Sequence, residues 1–256
     1  MVDTLAEVLG SQIGSELPWP DTRVIQREGW YQVITPSTRS AIANEVCTSR
    51  LTDSDADAVI DRTCAEYAAA GVPFKWFVGP DTTPSDMGRR LEARGFRGVA
   101  VRGMAIEPST WRATVPDDVT VEEVTVETLD EYNACFAAGW SVPMPEAQTA
   151  TLAAAIASGR FRMYVARIDG AAVGTCGLVV KPRSIYLVGG NVLPAYRRRG
   201  VYRAMLATRL ASATSAGVGL AVTQAREESS APILEALGFE SVCSAVIYRN
   251  ETDKNG

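Results

Sequence analysis

The sequence contains no histidine. That absence excludes Ser-His-Asp and Cys-His nucleophilic catalysis, histidine general bases and histidine metal ligands, so proton transfer falls to carboxylates, tyrosine, lysine, cysteine, water or the substrate itself. Cysteine is sparse: Cys47, Cys64, Cys135, Cys176 and Cys243 stand singly, an odd set without CxxC spacing. Such a set fits reduced thiols and supports neither a zinc cluster nor a disulfide frame, and no metal is expected. Positive charge is in deficit, with a formal net charge of −5, so no global field exists to hold nucleic acid or an anionic membrane. A small anionic ligand then needs a local basic pocket. No stretch reaches the roughly 20 apolar residues that would span a bilayer. The opening MVDTLAEVLG lacks a basic segment followed by an apolar run, so the expected location is cytoplasmic.

What is present is enough apolar residue, 46% of 256, to bury a real core as one large domain or two smaller ones. The segment Leu234-Glu235-Ala236-Leu237-Gly238-Phe239 repeats Leu91-Glu92-Ala93-Arg94-Gly95-Phe96 at five of six positions. A common helix-end signature would give the same letters. The surroundings match as well: an apolar strand precedes each copy (Phe74–Val78, Val218–Thr223) and another follows (Gly98–Ile106, Val242–Tyr248), which reads as an internal duplication. Between the copies, Glu107–Asp118 is rich in turn formers and is the natural linker, with the boundary near residue 115.

After the boundary the pattern predicts strand Val119–Val124, helices Val126–Trp140 and Pro145–Ser158, strand Phe161–Ile168, a turn at Asp169-Gly170, and strands Ala172–Val180 and Ile185–Val192. Helix Gly200–Ala216, strand Val218–Thr223, helix Ser229–Gly238 and strand Phe239–Asn250 complete it. Alternation of this kind indicates an α/β fold with a mixed sheet. In the first half helices Thr4–Ile13, Ala56–Ala70 and Ser85–Arg94 and strands Tyr31–Ile34 and Phe74–Val78 are readable, without a phosphate loop. Trp30, Trp76 and Trp111 are expected in the core or an interface rather than as ligand stackers.

The informative stretch runs from Val192 through Pro194 and Arg197-Arg198-Arg199-Gly200 to Arg203, and joins a strand to an amphipathic helix. Pro194 ends the strand by removing a donor. Val201, Met205, Leu206 and Leu210 form the apolar side of the helix that starts after Gly200. Free backbone N–H groups at a helix N-terminus, together with the macrodipole, take anions. Gly200 is expected to let a phosphate approach the main chain, with the arginines adding charge-assisted bonds. A bare run of three arginines would be an ordinary solvated patch or a short nucleic-acid contact. The order of strand, proline, arginines, glycine and helix decides against that.

This stretch resembles the coenzyme A loop of the GNAT superfamily, Q/R-x-x-G-x-G/A after a strand ending V-x-P, matched here by Arg197-x-x-Gly200-x-Tyr202 after Val192-Leu193-Pro194. Ser230–Phe239 resembles the family's closing helix and strand. The resemblance implies two GNAT-like halves, each a mixed, mostly antiparallel sheet flanked by helices. Residues 1–115 would be a degenerate, non-catalytic copy and 116–256 the acyl-CoA-binding catalytic domain. It further implies that main-chain amides of Arg198, Arg199, Gly200, Val201, Tyr202 and Arg203 bind the pyrophosphate, and that Gly190, Asn191 and Val192 pair with the pantetheine arm. The Val192 amide would stabilise the oxyanion, a contribution of roughly 3–4 kcal/mol. Three positions depart from the pattern. Tyr202 takes the loop's last small-residue position, Glu227 takes that of a frequent asparagine, and Leu234 takes that of the tyrosine that protonates the leaving thiolate. No residue is assigned as general acid or base. A thiol of pKa about 8.5 is a tolerable leaving group, so losing an acid slows transfer without forbidding it.

The expected function is transfer of an acyl group, acetyl above all, from acetyl-CoA or another acyl-CoA to an amine by direct attack, since no activated nucleophile is evident. At pH 7 an α-amino group of pKa about 7.7–8.0 is roughly a tenth to a sixth neutral, whereas a lysine amine is neutral about once in 2,500. That favours a small molecule or peptide N-terminus as acceptor, and the Trp140–Pro145 turn either lines its cleft or merely packs two helices. The alternatives are a non-catalytic acyl-CoA sensor or interaction module, and a GNAT using a carrier-bound acyl or aminoacyl donor. Neither nucleic acid nor membrane is expected as a partner, and the oligomeric state is left open.

Overall fold

A computed structural model describes residues 2–142 and 144–250. The chain forms two compact units, each assembled from separated segments. The segments 1–115 and 116–256 expected from the duplication are covalent halves, whereas each compact unit takes residues from both.

One unit is built around residues 104–223, with the segment up to Ser11 and Ile233–Glu240 added to it. Its strands are β6 (Thr120–Glu123), β7 (Phe161–Ile168), β8 (Ala171–Val180) and β9 (Ile185–Val192), followed by the start of β10 (Ala221–Arg226). They lie in the order β6-β7-β8-β9-β10. Every pair is antiparallel except β9 with β10. Asp169 and Gly170, with φ of 50° and 79°, make the tight turn between β7 and β8, the mirror-image geometry that suits strand twist. The helices are α1 (Thr4–Leu9), α4 (Leu129–Trp140), α5 (Gln148–Ala157), α6 (Val201–Ser215) and most of α7 (Ser230–Ala236). Asn191 points at α4 while its neighbour Gly190 faces α6, so those two helices cover opposite faces of β9. α1 is anchored by a buried carboxylate: Glu7 accepts from Arg183 Nε at 2.8 Å and from Ser184 Oγ at 2.7 Å. Lys181 Nζ bonds Gly10 O and Ser11 O at 2.7 and 2.9 Å.

The other unit contains β1 (Arg23–Arg27), β2 (Trp30–Ile34), β3 (Glu45–Ser49), α2 (Asp53–Ala70), β4 (Lys75–Val78) and α3 (Met87–Glu92). Most of β5 (Phe96–Ile106) and of β11 (Glu240–Asn250) completes it, in the strand order β1-β2-β3-β4-β11-β5. β11 therefore pairs with β4, Tyr248 opposite Trp76. The expected core residues Trp30 and Trp76 are buried and meet edge to face at 5.6 Å between centroids, while Tyr67 stacks on Phe74 at 3.9 Å. Here α2 begins with Asp53, Asp55 and Asp57. Arg90 of α3 and Arg94 just beyond its end bind Asp53, Asp57 and Asp61, so this helix start carries negative charge where a phosphate site would need the opposite.

The repeated hexapeptide has the same local structure twice. Leu91 and Leu234 are buried, Gly95 and Gly238 have φ of 84° and 92°, and Phe96 and Phe239 are buried. Among the described residues no helix is long and apolar enough to cross a membrane.

Candidate functional site

β9 has one paired and one open edge. Toward β10 its pairing stops after Ile185 with Ala221 and Tyr186 with Val222. The Thr223 hydroxyl then reaches Leu187 O at 3.0 Å, and among the described residues no strand pairs with β9 beyond it on that side. On its other edge β9 stays with β8 to Val192, but with a register shift that sets Gly189 and Gly190 against Cys176 alone. This is a β-bulge, and Gly189 at φ 61° carries it. Leu193 N bonds Val173 O at 2.9 Å, so alternation turns the Val192 amide to the open edge, and the bulge releases the Gly189 and Gly190 amides from the β8 ladder as well. Asn191, the third strand residue singled out from the sequence, faces β8: its Nδ2 donates to Thr175 Oγ1 at 2.8 Å and its Oδ1 is buried against α4.

The open edge leads into the basic loop. Pro194–Tyr196 makes one 3₁₀ turn, and Arg197 bends back so that its Nε donates to Val192 O at 3.2 Å. Arg198 has φ 63°, a left-handed conformation that costs energy for a side chain with a Cβ. Arg199 pairs with Asp118 at 3.1 Å and lies over the Tyr196 ring. All three arginines are exposed. Gly200, at φ 78°, is the N-cap of α6 and offers no side-chain cap. Ala204 N is the first helix amide bonded backward, to Gly200 O at 3.0 Å, which leaves the amides before it directed off the helix end. The loop thus has the donors and charge a diphosphate requires.

At Gly200 a Cβ would overlap Pro116 Cγ, so glycine there also admits the linker, which covers one flank of the loop. Val201 is buried beneath the helix start, and its Cγ1 would stand 3.3 Å from a Cβ on Gly174. Arg203 is half-buried, with Nη2 3.5 Å from the Gly200 Cβ position. Tyr202 does not point toward the loop; its ring lies under the bulge, with Cε2 3.2 Å from where a Gly190 Cβ would be.

Sequence reading missed Arg209. It occupies the same helix stripe as Val201 and Met205, where an apolar residue belongs, and that misplacement was the available signal. It is only 2% exposed, and its Nε and Nη1 bond Met205 O and Gly177 O at 3.1 and 3.4 Å. Burial pushes the Tyr202 phenol up, and the Arg209 guanidinium opposes that shift.

The positions matched to the usual proton donors lie elsewhere. Leu234 is buried in the core. Glu227 is held by both nitrogens of an Arg102 fork, Nε at 2.8 and 2.9 Å from its two oxygens, which keeps its carboxyl below the ordinary range. On α4 the rings of Tyr132, Phe136 and Trp140 follow one another at 6.0 and 6.2 Å, ending in a partly exposed indole. Of the Trp140–Pro145 turn, Pro143 lies outside the described residues. Among the described residues no group of three or more acidic or sulfur side chains is placed to hold a metal.

Residues 125–239 match the family model described as the acetyltransferase (GNAT) family. The solved structures with similar folds include a GCN5-related N-acetyltransferase from Kribbella flavida, 16% identical with a TM-score of 0.71, covering 96% of this chain and 95% of that one. A conserved protein of unknown function from Staphylococcus epidermidis ATCC 12228 is 14% identical with a TM-score of 0.68 over 91% and 96%. A tandem GNAT protein from the clavulanic acid biosynthesis pathway is 17% identical with a TM-score of 0.60 over 94% and 86%. No curated relative matches by sequence.

Proposed function

Because residues 125–239 form a domain of the acetyltransferase (GNAT) family, we propose that the chain is an N-acyltransferase that moves an acyl group, acetyl in the first instance, from acyl-coenzyme A to a small amine or peptide N-terminus. The observation that carries this reading is the continuity of the open β9 edge with the uncapped start of α6. The two together match one long ligand with an amide-bearing arm and a diphosphate.

In this reading the diphosphate takes the amides from Arg198 to Arg203 and the exposed guanidinium of Arg198, while Arg197 and Arg199 hold the loop to Val192 and Asp118. The pantetheine amides add to β9 as another strand would, through Val192 and the bulge. The thioester carbonyl then lies against the released Gly190 and Val192 amides. These donors strengthen as the carbonyl oxygen becomes an oxyanion, and one well-placed amide contributes about 3–4 kcal/mol. A neutral amine attacks the carbonyl carbon, the tetrahedral intermediate collapses, and the thiolate departs. With no histidine to deprotonate the nucleophile, an amine of pKa about 8 is far better supplied in its neutral form than a lysine side chain. The exposed end of the α4 aromatic row supports an acceptor with an apolar portion.

The Pro116 contact with Gly200 favours a second reading, in which the loop holds acyl-CoA without turnover. Calorimetric titration with acetyl-CoA, and release of free thiol in the presence of a panel of amino acids, peptides and amines, separates the two. The transferase reading expects saturable binding and amine-dependent thiol release. Binding with no release on any amine selects the sensor, and no binding at millimolar acetyl-CoA defeats both.

A further inference from the structure

Arg209 is a buried cation without a counter-ion. It forms no ion pair among the described residues, two of its nitrogens meet only backbone carbonyls, and Nη2 has no acceptor. A guanidinium taken out of water in this way is costly unless something in its working cycle compensates it. Two helical turns earlier on the same face stands Tyr202. The empty side-chain position of Gly190 lies 3.2 Å from the Tyr202 ring and 3.6 Å from Arg209 Nη2, so ring and guanidinium both face the bulge of the open strand edge, and the guanidinium acts on the phenol. Tyr202 is half-buried.

We propose that Tyr202 is the general acid of the transfer, giving its phenolic proton to the departing thiolate, and that Arg209 is the positioning residue that receives the resulting phenolate as its missing counter-ion. The inference rests on the acyltransferase reading above. In the step, the carbon–sulfur bond of the tetrahedral intermediate breaks with its electron pair going to sulfur. The phenol O–H breaks and an S–H forms. The phenolate regains a proton from water, and the nitrogen of the new amide loses its extra proton to water, so the sum is thioester plus amine giving amide plus thiol. The groups facing the Tyr202 hydroxyl are Arg209 from its own helix and the buried Cys176 thiol from β8, while β9 presents glycine. Burial keeps the phenol protonated at neutral pH, as an acid must be, and the guanidinium lowers the cost of its ionisation during the step. The other places where a donor was sought are spent, Leu234 having no proton to give and Glu227 being committed to Arg102.

The test uses the full chain and compares wild type, Tyr202→Phe and Arg209→Gln. Tyr202→Phe is expected to lose about a hundredfold or more in kcat, with KM for acetyl-CoA unchanged and the basic limb of the kcat–pH profile gone. With ring-labelled tyrosine, the NMR signal that disappears in Tyr202→Phe is expected to titrate at higher pH in Arg209→Gln than in wild type, and to shift when coenzyme A is added. If Arg209→Gln does not fold, Arg209→Lys replaces it, with the same upward direction expected from loss of the planar fork. A Tyr202→Phe enzyme with wild-type kcat and profile overturns the proposal and leaves the transferase standing. Should wild type bind acetyl-CoA but turn over no amine, a Tyr202 signal indifferent to Arg209 and to coenzyme A overturns it. Failure of wild type to bind acetyl-CoA removes both.

Discussion

Gly200 and Pro116 occupy one another's space, and this changes what a substitution at the glycine reports. Gly200→Ala places a Cβ on Pro116 and forces it into a left-handed conformation, so it is expected to destabilise the chain by about 1–3 kcal/mol before any ligand is considered. Adding Pro116→Gly should recover the steric part and leave the backbone part. Denaturant unfolding of the two single variants and the double variant measures the split, and strict additivity would mean that the contact carries no energy. A cleaner probe of the loop is Arg198→Gly. The left-handed residue becomes one that tolerates the conformation, so stability should hold or rise by about 0.5–1 kcal/mol, while KM for acyl-CoA rises about three- to tenfold through loss of one charge-assisted bond. A variant with unchanged KM would place the diphosphate elsewhere. At this scale the sequence showed which residues form the loop, through the order of proline, arginines and glycine. It did not show that Pro116 packs on Gly200, because Pro116 is distant in the chain, nor that Tyr202 turns inward toward Arg209.

Helix α4 is set on β9 by a missing side chain: a Cβ on Gly139 would overlap the Asn191 carboxamide. Alanine there gains about 1 kcal/mol in helix propensity but costs about 1–3 kcal/mol in overpacking, so Gly139→Ala should be a net loss, seen as a lower Tm. A gain in Tm would show that α4 can lift without penalty. Elements α2 and α3 are joined instead by charge, and that attachment titrates. Across the attachment Arg94 holds the Asp61 carboxyl of α2 below the ordinary value of 3.8, and within α3 Arg90 does the same to its N-cap Asp86. A folded-state pKa below the unfolded one favours the ionised native form, so its contribution is complete above about pH 3.8 and is lost as pH falls through the depressed values. Melting temperatures measured from pH 5 down to pH 2 should therefore fall less steeply in the Arg90→Ala, Arg94→Ala double variant than in wild type. Equal slopes would assign the acid sensitivity to other carboxylates. Long periodic elements such as α6, and the hairpin with its Asp-Gly turn, were legible because period and turn chemistry are local. β1 and β3 were not: RVIQR is largely exposed and shows no clean alternation, and EVCTS buries a glutamate that finds its lysine on β4.

For the whole molecule, the duplication was legible because both copies keep the same buried leucine, left-handed glycine and buried phenylalanine. The distribution of segments between the units was not, since nothing local in β11 specifies β4 as its neighbour. One expected consequence concerns fragments. A chain of residues 116–256 contains the loop, α6 and β6 to β9, yet it lacks α1 with its Glu7 anchor and the Met104–Ile106 part of β5. It should show no cooperative thermal transition and no acyl-CoA binding, whereas the full chain should show both. Circular dichroism melting of the fragment checks this, and a sharp transition would mean that the C-terminal half folds alone. The same arrangement sets a timetable for synthesis. One unit needs Ile233–Glu240 and the other needs Ser241–Asn250, so neither can close its core until the segment that carries them has been made. Where many two-part proteins settle their first half while the second is still being made, this chain must hold both in waiting, and loss of everything after residue 232 would cost it the two together.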